Sequence, residues 1–240
     1  MSRPDFSRRA TTPELMDDAA WDFETFQGCL TDLARVNRLT LAYRPTLAFL
    51  DGLAREGRLP RQRPLHILDA GSGHGDTLRR IAHWAARRRI PVRLTGIDLN
   101  PWSARAARAA TPPHLPIAWE TGDVLAHRPA QEVDVVISSL FAHHLEDAAL
   151  LRFLRWMEDT ARLGWFINDL HRHPLPHRAF THASRLMRMH RFVQHDGPVS
   201  IARGFVASDW RRLLAAAGVP EDAASIRWWV PFRLCVARLR

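Results

Sequence analysis

Residues 67–76, Ile67-Leu68-Asp69-Ala70-Gly71-Ser72-Gly73-His74-Gly75-Asp76, decide how the rest of the chain is read. A short apolar run ends in a glycine-rich turn, and Asp76 opens a helical pattern. Such a strand-to-helix turn lets a ligand approach the backbone and face the positive end of the helix. The common form, G-x-G-x-x-G, is built for the pyrophosphate of a dinucleotide. Here Gly71, Gly73 and Gly75 give G-x-G-x-G, with Asp69 two residues before the first glycine. A carboxylate at that point repels a pyrophosphate and suits a cofactor with a cationic amino group. Asp98 lies 98 − 71 = 27 residues after Gly71, at the end of the next predicted strand. An acid there can accept hydrogen bonds from ribose hydroxyls. Asp123, after the third strand, can accept one from an adenine amino group.

Outward from this stretch the chain alternates strands and helices. Strands are expected at 65–70, 91–99, 117–120, 133–139 and 164–169, and an antiparallel pair at 225–230 and 233–239. The fourth, Val133 to Ser139, is β-branched and nearly continuous, which indicates burial on both faces of a parallel sheet. Crossover helices are expected at 76–89, 101–110, 147–162 and 208–217, with Asp147 and Ser208 as caps. Upstream, helical periodicity starts near Pro13 (Leu15, Ala19, Phe23) and continues over 24–39 and 43–56. The expected organisation is an N-terminal helical cap over residues 1–60 and a cofactor-binding domain over 61–240. A helical insert at about 174–204 interrupts that domain.

Composition sets limits. The 240 residues are 46% hydrophobic, enough for one sizeable α/β domain with an appendage. No apolar run is long enough to span a bilayer, so no membrane insertion is expected. Met1 to Asp5 lacks the apolar core of a signal peptide. Cys29 and Cys235 have no partner spacing, which fits a cytoplasmic location. The net charge of +9 comes entirely from arginine, since the sequence contains no lysine. Basic chains often touch nucleic acid. The arginines are spread over the whole length, however, and that favours biased base composition as their origin.

Leu68-Asp69-Ala70-Gly71-Ser72-Gly73-His74-Gly75, Gly96-Ile97-Asp98-Leu99-Asn100, Gly122-Asp123-Val124 and Asp134-Val135-Val136 occur in the order of the motifs of class I S-adenosylmethionine-dependent methyltransferases. The chain resembles that family from about Leu65 to Leu170, and more loosely to its end. The resemblance implies a Rossmann-like seven-stranded, mostly parallel sheet with an antiparallel last strand. It implies S-adenosylmethionine as cofactor. By that resemblance Gly71, Gly73 and Gly75 would line the methionine portion, Asp98 would hold the ribose and Asp123 with Val124 would frame the adenine; Asp69, Ala70, Leu99 and Ser139 are further expected cofactor-binding residues.

Methyl transfer from a sulfonium needs alignment, and a hydroxyl acceptor also needs a base. Candidates lie where strand ends converge: His143 and His144 after the fourth strand, and Asp169, His171 and His173 after the fifth. His143, His144 and His171 are the expected catalytic residues. Ser138-Ser139-Leu140-Phe141 departs from the Asn/Asp-Pro-Pro-aromatic motif used on planar nitrogens. Asn168-Asp169 reverses the acid–amide pair of metal-dependent catechol-type enzymes, and Pro174 and Pro176 break the register of the later histidines, so no metal is expected. The pattern is similar to methyltransferases of quinone and polyketide pathways. A small phenolic, quinol or polyketide-like acceptor is expected, O-methylated rather than C-methylated, by a monomer or homodimer. Phe180, Leu186, Met187, Met189 and Phe192 are offered as pocket lining, and Arg38 and Arg44 as contacts for an acid. The rivals are an RNA methyltransferase and a non-catalytic protein that binds the cofactor or serves as a scaffold.

Overall fold

The computed structural model describes residues 5–17 and 22–240. Its centre is a seven-stranded sheet, β1 (Leu65–Ala70), β2 (Val92–Asp98), β3 (Ile117–Thr121), β4 (Val133–Ser139), β5 (Ala161–Leu170), β6 (Ala224–Trp229) and β7 (Arg233–Leu239). The order across the sheet is β3-β2-β1-β4-β5-β7-β6. The first five strands are parallel, and β7 runs antiparallel to both β5 and β6. All six positions of β1 are buried, as are the first six of β4, so the sheet is covered on both faces. This is the expected Rossmann-like arrangement, and the chain reverses direction between β1 and β4 next to the glycine turn.

Two apolar layers hold the helices. On one face α2 (Arg44–Arg55), α3 (Asp76–Arg88) and α4 (Pro101–Ala109) bury Leu50, Leu53, Leu78, Ile81, Trp84 and Ala104 against the sheet. On the other, α5 (Asp147–Thr160) and α8 (Ala207–Ala217) bury Leu150, Phe153, Met157, Trp210 and Leu213. α1 (Phe23–Leu39) rests on α4 through Phe26, Leu30 and Ala106. Between β5 and α8 lie α6 (Pro174–Leu186) and α7 (Arg191–Arg203). Full burial of a large apolar side chain contributes about 1.5–3 kcal/mol, so these layers dominate the stability of the domain.

Several local expectations change. The helix expected from Pro13 is a single 3-10 turn, Leu15–Asp17, and Ala19 and Trp21 lie outside the described residues. Asp147 is the first residue of α5 and not its cap; Glu146 holds the cap position, and Asp147 pairs with Arg9 and Arg212. α5 stops at Thr160 because Ala161 is already hydrogen-bonded in the sheet opposite Val133. Ser208 does not cap α8: Val206 is the cap residue, and its N–H donates to Asp209 Oδ2 at 2.9 Å. Pro174 and Pro176 sit in the first turn of α6, where a missing N–H is harmless, so they start that helix instead of breaking it. Leu186 and Met187 are exposed, whereas Phe192 is core.

Residues 5–17 cross α7 and the turn after β4. Ala10 N–H donates to Ala202 O at 3.0 Å. The backbone N–H groups of Leu15 and Met16 donate to Asp196 at 2.8 and 3.0 Å. Buried Arg172 joins three segments: its Nε donates to Phe6 O at 3.0 Å, and Nη1 donates to Gly204 O at 2.8 Å and Asp209 Oδ2 at 2.7 Å. Breaking a buried ion pair on one side leaves the other charge uncompensated. Arg172→Ala should therefore lower the unfolding free energy by about 3 kcal/mol in urea titrations; a change below about 0.5 kcal/mol, the level of a neutral surface substitution, would contradict this role.

Candidate functional site

The glycine turn is bound to the neighbouring strand: the N–H groups of Gly71 and Ser72 both donate to Ile97 O, at 2.9 and 3.0 Å. Gly71 has φ +72°, and a Cβ there would collide with the Phe141 ring. Gly73 has φ +49° and open space where a side chain would point, so its backbone can be approached closely. Gly75, also at positive φ, precedes α3 and packs against Trp119. Ala70 is fully buried, and its carbonyl accepts from Ser138 Oγ at 3.0 Å. Asp98 closes the loop from the side: Oδ2 accepts from Gly73 N–H at 2.8 Å and Oδ1 from Asn100 N–H at 3.0 Å. Burial nevertheless holds the Asp98 carboxyl above its ordinary range. Leu99 is exposed beside it. Asp123 is exposed and uses one oxygen for its own turn, accepting from Leu125 N–H at 2.9 Å, while Val124 belongs to the core.

Asp69 is 2% exposed, and among the described residues its Oδ1 has no hydrogen-bond partner. Burial, then Asp76 and Asp98, push its carboxyl well above the usual range. Ser139 Oγ is likewise buried without a partner. An orphaned buried acceptor costs about 1–3 kcal/mol. A carboxylate and a hydroxyl of this kind, beside a turn whose backbone is accessible at Gly73, suit the ammonium and sulfonium end of S-adenosylmethionine. The residues present fit that cofactor.

The second half of the site hangs over the first. Phe141 packs on Gly71, which places the following 3-10 turn, Ala142–His144, against the glycine loop. His143 is 2% exposed. Its Nδ1 lies 2.7 Å from Asp169 Oδ1, and its backbone N–H donates to Asp169 Oδ2 at 3.2 Å. On the other side of the ring, Nε2 is 3.5 Å from Glu14 Oε1. Burial alone would lower the imidazole, but Asp169 and Glu14 outweigh it and hold His143 up at about 9. Burial acts to raise Glu14, but His143, His144 and the Ser200 hydroxyl at 2.8 Å bring it down to about 2. Arg9 and Arg203 donate to the carbonyls of His143, His144 and Leu145 and fix the turn from outside.

His144 is half-buried, 3.8 Å from Glu14 Oε2, with its ring 4.4 Å from that of His143. Its charge also acts on Asp98. His171 stands apart. Its N–H donates to Phe232 O at 2.9 Å, its ring stacks on His173 at 5.7 Å, and burial followed by His173 and Arg172 lowers its imidazole. Among the described residues no hydrogen bond joins His171 to His143 or His144. Glu14, His143 and His144 bring ligand atoms within 4.8 Å of one another, a spacing a divalent cation accepts. A protonated His143 held between two carboxylates satisfies the same geometry without a cation. Glu14 and Arg233, which also reaches this edge of the sheet, were not singled out from sequence. The periodicity around Glu14 reads as an ordinary helix start, and Arg233 looks like one more arginine in a basic chain.

Residues 67–164 match the model of a methyltransferase domain family. No curated protein matches the chain. The fold is similar to that of the citrinin polyketide synthase CMeT domain (TM-score 0.61, 16% identity, 82% of this chain and 52% of that one). It is also similar to the plantazolicin methyltransferase BpumL, solved with S-adenosylhomocysteine (0.61, 13%, 91% and 96%). A third similar structure is a putative O-methyltransferase from Nostoc punctiforme PCC 73102 (0.59, 14%, 88% and 60%). The chain thus spans about half the length of the first of these and nearly all of the second.

Two outcomes are expected. Calorimetry with S-adenosylhomocysteine should show binding that Asp98→Ala weakens about tenfold or more, as loss of a charge-assisted hydrogen bond implies; an unchanged affinity would remove Asp98 from the cofactor site. The second concerns pH. The folded value of His143, about 9, lies above the ordinary 6.5, so its stabilisation is complete below about 6.5 and is lost as pH climbs through about 9. The melting temperature should fall over that window, and the fall should shrink in Glu14→Gln. A wild-type curve that is flat from pH 7 to 10 would refute the pairing.

Proposed function

We propose that this chain, whose residues 67–164 match a methyltransferase domain family and whose fold is similar to that of S-adenosylmethionine-dependent methyltransferases, methylates a small acceptor through an ionisable hydroxyl, with His143 as the proton acceptor. The acceptor class is phenolic, quinol or polyketide-like, in keeping with natural-product methyltransferases among the similar folds. The observation that carries the reading is the buried Asp169–His143 pair at 2.7 Å, set by Phe141 against the glycine turn.

Bound S-adenosylmethionine supplies a methyl group on a sulfonium centre. Asp69 and Ser139 are placed to hold its charged end, and Asp98 its ribose. Asp169 accepts from His143 Nδ1–H and so fixes the ring orientation, leaving Nε2 as the basic atom. In the free protein Glu14 faces that atom. An acceptor hydroxyl that takes the place of Glu14 at Nε2 meets an imidazolium relieved of one of its two carboxylates; its pKa falls, the Nε2 proton is released to solvent, and the neutral ring then takes the hydroxyl proton as the methyl group is transferred. In this reading the N-terminal 1–60 region supplies the cap and 174–204 the insert beside this crevice, with α2 packed on the sheet itself. The hydrogen bonds from the 5–17 segment to α7 support that division. Three arginines are taken out of any RNA reading: Arg9, Arg172 and Arg203 hold carbonyls and carboxylates inside the fold.

The test is a screen of phenols, quinols and polyketide-like acids with labelled cofactor, followed by variants. His143→Gln should lower kcat by about 10²-fold or more, and Asp169→Asn by about tenfold or more, both with S-adenosylhomocysteine affinity retained. The ascending limb of the kcat/KM–pH profile should have its midpoint near the free-enzyme value of about 9 for His143 and move to lower pH in Glu14→Gln. Full rates in both variants, or an unmoved limb, would remove His143 as the base. Loss of activity on chelation, restored by a divalent cation, would replace the base with a metal at the Glu14–His143–His144 cluster.

A further inference from the structure

Arg233 is 4% exposed, and its Nη1 has no hydrogen-bond partner among the described residues. An uncompensated buried charge costs several kcal/mol, and among the described residues no carboxylate forms an ion pair with this one. The nearby acids are already engaged. Asp169 pairs with His143 and also accepts from Leu170 N–H at 2.7 Å. Asp76 accepts from Tyr43 Oη at 2.5 Å and from Asn37 Nδ2 at 3.3 Å. Burial lowers the Arg233 guanidinium, and the nearby Asp169 and Asp76 act on it in the opposite sense.

Strand register places Arg233 in line with the cofactor residues. Gly96 is opposite Asp69, Asp69 opposite Ile137, Ser139 opposite Asn168, and Leu170 opposite Arg233. Side chains two apart on a strand share a face, so Asp98, Asp69, Ser139 and Arg233 all lie on one face of the sheet. Because β7 runs antiparallel, its first residue stands at the same edge as the last residues of β1, β2 and β4. On that face Asn168 Nδ2 donates to Ala42 O at 2.7 Å, which brings the start of α2 over the row. The row contains two orphaned buried oxygens, on Asp69 and Ser139, and ends in an orphaned guanidinium nitrogen two strand spacings, about 10 Å, beyond Ser139. Arg38 and Arg44, the arginines offered from sequence for an acid, are both exposed.

We propose that Arg233 is the carboxylate anchor of this crevice, closing a bidentate guanidinium–carboxylate pair with an acid that lies over β4 and β5. The pairing matches the planar fork of arginine and supplies the charge that the fold omits. Two molecules bring a carboxylate to this place: the cofactor, through its methionyl end, and an acidic acceptor. The proposal rests on the methyltransferase reading above and adds to it the chemistry that one of the two bound molecules must present.

The experiment uses the full-length protein, with Arg233→Met to remove the charge at similar length and Arg233→Lys to keep the charge without the fork. Removal of an unpaired buried cation should leave the melting temperature of the free Arg233→Met protein equal to or above that of wild type, so the variant is foldable. Calorimetry compares S-adenosylhomocysteine with 5′-methylthioadenosine, which lacks the amino-acid end. Thermal shift compares hydroxybenzoates with their methyl esters. If the cofactor carboxylate is the partner, Arg233→Met weakens S-adenosylhomocysteine at least tenfold, leaves methylthioadenosine unchanged, and Arg233→Lys lies between. If the acceptor is the partner, S-adenosylhomocysteine is unaffected, the free acids stabilise wild type and not Arg233→Met, and the esters stabilise neither through this residue. Unchanged binding of both S-adenosylhomocysteine and the free acids in a folded Arg233→Met protein overturns the proposal. A wild type that binds neither nucleoside overturns the methyltransferase reading itself, and the proposal with it.

Discussion

A buried imidazole between two carboxylates organises the working end of this molecule. His143 is out of water, and so are Asp169 and Glu14. Two negative charges in such a place cost far more than one neutral ring can return. The arrangement persists because the ring takes a proton and becomes the cation that both acids need. Asp169 comes from the end of β5, His143 from the turn after β4, and Glu14 from the segment that crosses α7. One proton therefore joins the sheet to the N-terminal segment. The hydrogen bonds of Arg9 and Arg203 to the same turn hold the two parts in register.

The carboxyl edge of the sheet carries the complementary problem. Asp69, Ser139 and Arg233 present buried polar atoms with no protein partner. Groups of this kind destabilise a free protein and are expected where a ligand completes the hydrogen bonding. The glycine turn beside them has an open approach at Gly73 and a wall at Gly71, where Phe141 stands. The wall also transmits position, since Phe141 leads directly into the His143 turn. The glycine turn and the His143 turn are thus set by one packing contact, between a glycine that has no side chain and a ring that fills its place.

The sheet and its order were legible because their signals are local. The glycine spacing after 65–70, the β-branched run at 133–139 and the apolar pair around Pro231-Phe232 each state their role within a few residues. The resemblance to methyltransferases joined them in order. Boundaries failed where tertiary contacts decide. Ala161 left its helix for a sheet partner, and Val206 displaced Ser208 as a cap because Asp209 accepts its N–H. The site was half legible. Asp69, Asp98 and His143 stand at strand ends, where ligands gather in open α/β sheets. His171 stands at a strand end too, yet its ring faces His173 and it takes no part in the pair. Glu14 could not be read, since it reaches His143 from 129 positions away (143 − 14) and its surroundings read as an ordinary helix start. Nor could Arg233, whose meaning lies in a missing partner.

The protonated state of His143 is the most direct point of attack. In ¹⁵N-histidine-labelled protein, NMR titration should show one imidazole that keeps both ring protons through neutral pH and releases one near pH 9. That signal should disappear in His143→Gln, and its midpoint should fall in Glu14→Gln. If the signal lost in His143→Gln instead titrates near the ordinary 6.5, the imidazole is not held between Asp169 and Glu14, and the account of the site fails.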